Sequence, residues 1–264
     1  MTLQQISERV YWLAPGPPDR PSLCAVVGDR ATLMLDAGSS AAHAQLVLDG
    51  LAADGVRPPS YVVLTHSHWD HVFGADEIGA TVIAHELTAE TLAELAATDW
   101  SDEALDRRVA DGVVSAEHAE HVKEELPSPR DVRVAQADIV FREGLDVELG
   151  GTTVRVRHVG GDHAADSCIA HVKPDGVVFL GDALYHSPDG RLTAERIFPL
   201  YDVVLGFEGD LFVEGHHPTV MPRAEQEALL DKMRHAHRLA EAGEPAPADA
   251  DEDLAFFVGA FVAT

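Results

Sequence analysis

The stretch YVVLTHSHWDH, residues 61 to 71, sets three histidines and an aspartate within six positions, directly behind four apolar residues. In an extended segment residues two apart share a face, so His66 and His68 project the same way and can grip one metal ion together. Asp70 and His71 fall past the turn, where a helix begins, and aim at a neighbouring point. Three imidazoles and a carboxylate suit zinc, iron or manganese. A lone histidine in such a place would read as a hydrogen-bonded structural residue. A group this dense at a strand end reads as a ligand cluster.

The surrounding chain supplies the strands that such a cluster needs. RVYWLA, LCAVVG and ATLMLDAG read as short strands, the last ending at Asp36. Ser39 and Ser40 are placed to cap a helix over about 41 to 53, and Pro58 and Pro59 break it before YVVL resumes as a strand buried on both faces. Residues 98 to 137 are charged and mostly helical in pattern, broken by Gly112 and Pro127, and read as a helical insertion. Strands return with ADIVF, LDVELGG, TTVRVRHVGG, SCIAHV and GVVFLGD, with Asp175-Gly176 as the turn between the last two. DLFVEGH is a final strand. A helix from Pro222 to about Ala242 is closed by Gly243. The expected organisation is one α/β domain over 1–243, then an acidic linker and a short apolar tail over 244–264 that docks on its own body or on a partner. The pattern of elements points to a sandwich of two mixed β-sheets flanked by helices.

Further ligands are expected wherever a later strand ends in His or Asp. His163 follows paired glycines, Asp182 ends VVFLGD, and His216 ends LFVEGH. HxHxDH, then Gly161-Asp162-His163, Gly181-Asp182 and Gly215-His216, in that order over about residues 8 to 240, resembles the metallo-β-lactamase-fold hydrolases. LMLDAG, with Asp36, matches as well. The resemblance implies an αββα sandwich with a two-metal cleft along one edge. It implies that His66, His68 and His163 bind a first cation, that Asp70, His71 and His216 bind a second, and that the Asp182 carboxylate bridges both. Two neighbouring cations need an anionic bridge in any case, to offset their repulsion.

Asp182 places the resemblance among the glyoxalase II-like and lactonase-like members, since β-lactamases of this fold usually lack that aspartate. The helical, basic C-terminal domain of glyoxalase II has no counterpart in an acidic linker and apolar tail. Flavin-linked di-iron members have Glu where His68 stands. The expected activity is hydrolysis of a small ester, lactone, thioester or amide by two zinc ions, with iron or manganese as substitutes, through a metal-bridging hydroxide. Asp70 would orient the nucleophile and shuttle its proton, and Tyr185 would face the developing oxyanion. Asp36 is expected to accept hydrogen bonds beside the metal loop. The alternatives are a mononuclear iron persulfide dioxygenase using part of the ligand set, and a metal-binding protein without turnover.

Other histidines are assigned elsewhere. His118 and His121 are expected on a solvated helix face, His235 and His237 diverge on a helix, and His171 is structural. His158 and His186 are expected to line the pocket without ligating. His217 yields to His216, whose preceding glycine matches the family spacing.

Composition narrows the partners. With 19 Lys+Arg against 45 Asp+Glu, the formal charge of −26 repels phosphate backbones and anionic lipid. A small-molecule substrate is therefore expected, with no nucleic-acid or membrane partner. The two cysteines, Cys24 and Cys168, form no redox or zinc-ribbon spacing. No signal peptide or membrane span is legible, so a soluble cytoplasmic monomer or homodimer is expected.

Overall fold

Successive side chains of a strand point to opposite faces, and here both faces of most strands are apolar. In the computed structural model, which describes residues 2–262, that pattern yields three apolar layers around two sheets. The first sheet runs in chain order: β1 (Gln4–Gln5), β2 (Val10–Leu13), β3 (Leu23–Val27), β4 (Thr32–Leu35), β5 (Tyr61–Val63), β6 (Thr81–His85) and β7 (Ile139–Phe141). It is antiparallel as far as β4 and parallel from β4 onward. The second comprises β8 (Gly144–Glu148), β9 (Thr153–His158), β10 (Cys168–Lys173), β11 (Val177–Gly181), β12 (Leu211–Glu214) and β13 (Met221–Pro222). Its one parallel pair among the described residues is β11 with β12.

Cys24, Val26, Leu35 and Val63 of the first sheet meet Val156, Ala170, Val177 and Phe179 of the second in a shared inner layer. Their sequence neighbours Leu23, Ala25, Met34 and Val62 point outward into one helical layer. Ile169, Val178 and Leu180 point into the other. This is the αββα sandwich expected from the sequence. Cys24 and Cys168 lie in the inner layer as free, buried cysteines, and burial pushes both thiols up, away from the reactive thiolate.

The first sheet is covered by α1 (Ala41–Ala53), the single turns α2 (Trp69–Val72) and α3 (Ala75–Ile78), α4 (Glu86–Ala97), α5 (Asp102–Ala110) and α6 (Ala116–Glu125). Ser40 caps α1 by accepting the His43 amide at 3.0 Å. After α6 the chain has no helix or strand until β7, because Pro127 and Pro129 cannot donate to one. The buried Glu125 of α6 receives Arg20, with Nε to Oε2 at 2.8 Å, and the hydroxyl of Ser40. The insertion is thereby tied to the first turn of α1. Over the second sheet lie α7 (Ala194–Gly206), α8 (Arg223–Ala242), ended by Gly243 at φ 68°, and α9 (Glu252–Val262).

The apolar tail forms α9 and docks on its own chain. Phe257, Val258, Ala260 and Phe261 join Leu230 and Met233 of α8 in one buried cluster. Lys232 clamps the start of that helix, reaching Asp251 and Asp253 at 2.7 Å each. Residues 263 and 264 of the tail lie outside the described residues. Among the described residues no helix is long and apolar enough to cross a membrane.

One buried group makes stability depend on pH. Burial and the nearby Arg20 charge push His43 down to about 3. The unfolded chain, with histidine near its ordinary value, therefore binds the proton that the folded chain refuses. Stability is full above that ordinary value and falls as pH drops toward about 3. Urea midpoints measured across this window should fall less steeply for His43→Gln than for the parent chain, and an identical slope would contradict the assignment.

Candidate metal centre

Every side chain of the site sits at or beyond the carboxyl end of a strand, the edge where open α/β sheets collect ligands. Asp36 follows β4, and His66 and His68 lie in the loop after β5. Asp70 and His71 occupy α2, which that loop enters directly. Asp182 follows β11 and His216 follows β12, so the parallel pair delivers them side by side. His163 lies in the loop between β9 and β10.

The seven sequence-predicted ligand candidates come together in two groups, His66 with His68 and His163, and Asp70 with His71, Asp182 and His216. Asp182 Oδ2 reaches both groups. It lies 3.4 Å from His163 Nε2 and 4.0 Å from His66 Nε2 on one side, and 3.3 Å from His71 Nε2 and 3.5 Å from His216 Nε2 on the other. Asp70 Oδ2 stands 3.2 Å from both His71 Nε2 and His216 Nε2. Two glycines allow this approach. A Cβ on Gly215 would stand 1.9 Å from Asp182 Oδ1, and one on Gly181, at φ 50°, would stand 2.6 Å from Thr65 Oγ1.

The buried ring nitrogens facing away from the site have partners. His71 Nδ1 lies 2.7 Å from Asp36 Oδ2, and His66 Nδ1 lies 3.1 Å from Thr65 Oγ1. Asp36 is itself held by the Thr65 amide at 2.7 Å and the Thr65 hydroxyl at 2.9 Å. It is the one non-glycine residue with positive φ among those described, at 59°. Such backbone strain persists where the surroundings over-determine it. These contacts turn the Nε2 atoms of both histidines inward.

Inside the cluster the polar groups fit a cation better than they fit each other. His66 Nε2, His71 Nε2 and Asp182 Oδ1 are buried without a hydrogen bond. His163 Nε2 faces His68 Nδ1 at 3.0 Å, two imidazole nitrogens competing for one proton. Burial alone would raise the Asp70 and Asp182 carboxyls, yet the His71 and His216 imidazoles hold both well below the ordinary carboxylate range. Burial would lower His71 and His216, yet the same carboxylates hold His71 well above its ordinary value and His216 up to about 10. Protons on these two imidazoles thus stand in for the positive charge that two buried carboxylates demand. His66 and His163, lowered chiefly by burial, His163 to about 4, stay neutral and ready to ligate.

The remaining candidates are distributed around this cluster. The Tyr185 hydroxyl accepts the His216 amide at 3.0 Å, so it braces the loop carrying that ligand. His186 contributes its carbonyl to His163 Nδ1 at 3.3 Å. His158 stacks on His85 instead, with ring centroids 3.8 Å apart. His217 turns to the Thr219 carbonyl, and His171, buried in β10, faces the Glu208 carbonyl. The solvated face expected for His118 and His121 is not what the fold produces. His118 is half-buried against Trp69, with a buried Nε2 that has no hydrogen bond, and His121 Nδ1 lies 3.4 Å from Asp19. Asp19 also approaches His216 Nδ1 at 3.7 Å. No sequence pattern marks Asp19, because it meets His216 only through tertiary packing.

Comparison with known proteins agrees with this arrangement. The profile of the metallo-beta-lactamase superfamily matches residues 17–241, and the chain belongs to that superfamily. The human acyl-coenzyme A thioesterase MBLAC2 is 26% identical over 164 residues, which are 56% of this chain and 54% of that protein. The chain thus spans about half the length of that curated relative. A metallo-beta-lactamase from Pontibacter korlensis superposes with a TM-score of 0.62 at 16% identity, covering 87% of this chain and 96% of its own. A double mutant of the sec-alkyl sulfatase PisA1 gives 0.66 at 14% identity, over 97% of this chain and 46% of its own. At those identities the two structures speak for the fold alone.

Because Asp36 orients His71, Asp36→Asn should weaken the affinity for an added divalent metal, read with zinc as the probe, by about 10–100-fold while leaving the fold intact. Competition with a chromogenic chelator reads this directly, and unchanged affinity would remove Asp36 from the support of the site.

Proposed function

We propose that the chain is a metal-dependent hydrolase that cleaves the acyl bond of a small thioester or ester at a pair of zinc ions. The observation that carries this reading is the Asp182 carboxylate, whose one oxygen stands within reach of both histidine groups. In this reading His66, His68 and His163 hold one cation, Asp70, His71 and His216 hold the other, and Asp182 serves both. Convergence of the second group favours two cations over the single iron of a dioxygenase. The relative named as an acyl-coenzyme A thioesterase supports the choice of a thioester among the carbonyl substrates.

Bound there, the cations supply Lewis acidity, which brings the pKa of water toward ~7 and polarises a carbonyl. The chain's own groups do the rest. Asp70, kept ionised beside His71 and His216, orients the attacking water and takes its proton. The water oxygen bonds to the carbonyl carbon, the carbon–sulfur bond breaks, and the proton from Asp70 leaves with the thiol. Tyr185 accepts the His216 amide and lies beside the buried Glu214 carboxylate, and in this reading its O–H turns from Glu214 to the developing oxyanion. Asp36 and Thr65 hold the ligand rings through the cycle.

Acyl thioesters and p-nitrophenyl esters should be cleaved by the zinc-loaded chain. Asp182→Asn should lose most bound zinc together with activity. Tyr185→Phe should keep its zinc and lower kcat by about 10²-fold with a smaller change in KM. Full turnover in Asp182→Asn, or absence of turnover on every ester and thioester by the zinc-loaded parent, would overturn the reading.

A further inference from the structure

Beside the metal centre, beneath α9, lies a cavity of about 330 Å³. That volume is within the range of small-molecule sites, which are mostly apolar with a few placed polar groups. Its walls are Leu184 and Leu192 from the segment after β11, Met221, Leu229 and Met233 from β13 and α8, and Phe257 from α9. Tyr185, His186 and His217 line it as well. Two of these touch the ligand loops directly, Tyr185 at the His216 amide and His186 at His163 Nδ1. The cavity therefore lies directly behind the loops that carry His163 and His216, with Tyr185 and His186 as the wall between.

Two observations distinguish it from a packing defect. Phe256 lines the cavity yet remains 47% exposed, a large apolar ring left half in water while its neighbours Phe257 and Val258 are buried. The outer wall is deliberately held, since Lys232 pairs with both Asp251 and Asp253 and pins the start of α9 to α8.

We infer that this cavity takes the apolar acyl chain of the substrate whose carbonyl is cleaved at the metal centre. The substrate class is a medium- or long-chain acyl thioester or ester, and α9 acts as the wall that sets chain length. The assignment to an acyl chain rests on the carbonyl-hydrolase reading above, whereas the affinity of the cavity for an alkyl chain does not. Apolar burial supplies the selectivity, because each methylene removed from water strengthens binding by about fourfold. The net charge of −26 and the acidic rim formed by Glu225 and Asp253 work against a chain carrying its own terminal carboxylate.

Two measurements on the full chain test this, and their failures are separable. Ala228 lies at the exposed mouth of the cavity on α8, where a larger side chain fills space without entering the core. Decanol, a neutral alkyl probe, is titrated calorimetrically into the parent and into Ala228→Trp, each without added metal. Binding to the parent that weakens about tenfold or more in the variant supports the cavity. No binding, or equal binding to both, overturns it. With zinc, kcat/KM is then compared for acetyl, hexanoyl and decanoyl thioesters. The parent should prefer decanoyl over acetyl by at least about tenfold, and Ala228→Trp should lose that preference. A flat chain-length profile, or a preference that the variant retains, overturns the acyl-chain assignment. Decanol binding sensitive to the variant, with no thioester cleaved, would sink the hydrolase reading while upholding the cavity as an alkyl-binding site.

Discussion

The Asp182 carboxylate is the interaction on which the rest of the site depends. A buried carboxylate is strongly unfavourable unless positive charge accompanies it. Here imidazoles from both groups stand within 4.0 Å of its Oδ2 atom. Without a cation, protons on His71 and His216 must supply that charge. In the proposed reading cations displace those protons from His71 and His216, so metal affinity should rise with pH. The glycine at 215 follows from the same constraint, since any side chain there would occupy the position of the carboxylate.

The sandwich makes this convergence possible. One parallel run in each sheet ends on the same edge, so β4 and β5 present Asp36 and the HxHxDH turn to Asp182 and His216 at the ends of β11 and β12. The inner layer between the sheets fixes their separation, because Val63, Val177 and Phe179 pack into one buried cluster. Loop ligands so far apart in sequence are held in place by that rigid core. The helical insertion adds a second restraint, with Glu125 tied to Arg20 and Ser40 on one side of the cleft.

Much of this was legible in the residues. The HxHxDH run is readable because its geometry is local, a period-two strand end followed by one helical turn. His163, Asp182 and His216 are readable because each ends a strand beside a glycine. The apolar run of YVVL likewise announces a strand buried on both faces, as Val62 and Val63 are. What escaped depends on packing between distant elements. The amphipathic pattern of α6 does not say which way it faces, so the sequence leaves His118 and His121 on a solvated face, whereas the fold sets His118 against Trp69 and His121 beside Asp19. Asp19 sits in an irregular loop with no pattern at all. The cavity exists only once α9 lies on α8, and an eleven-residue apolar helix does not name its own docking site.

Metal content after zinc loading and removal of excess ion decides whether the seven side chains take two cations about the Asp182 carboxylate. The parent chain should retain about two zinc ions per molecule, and Asp182→Ala should lose tight binding at both positions together. A single retained zinc in the parent, or two retained zinc ions in Asp182→Ala, would contradict that arrangement.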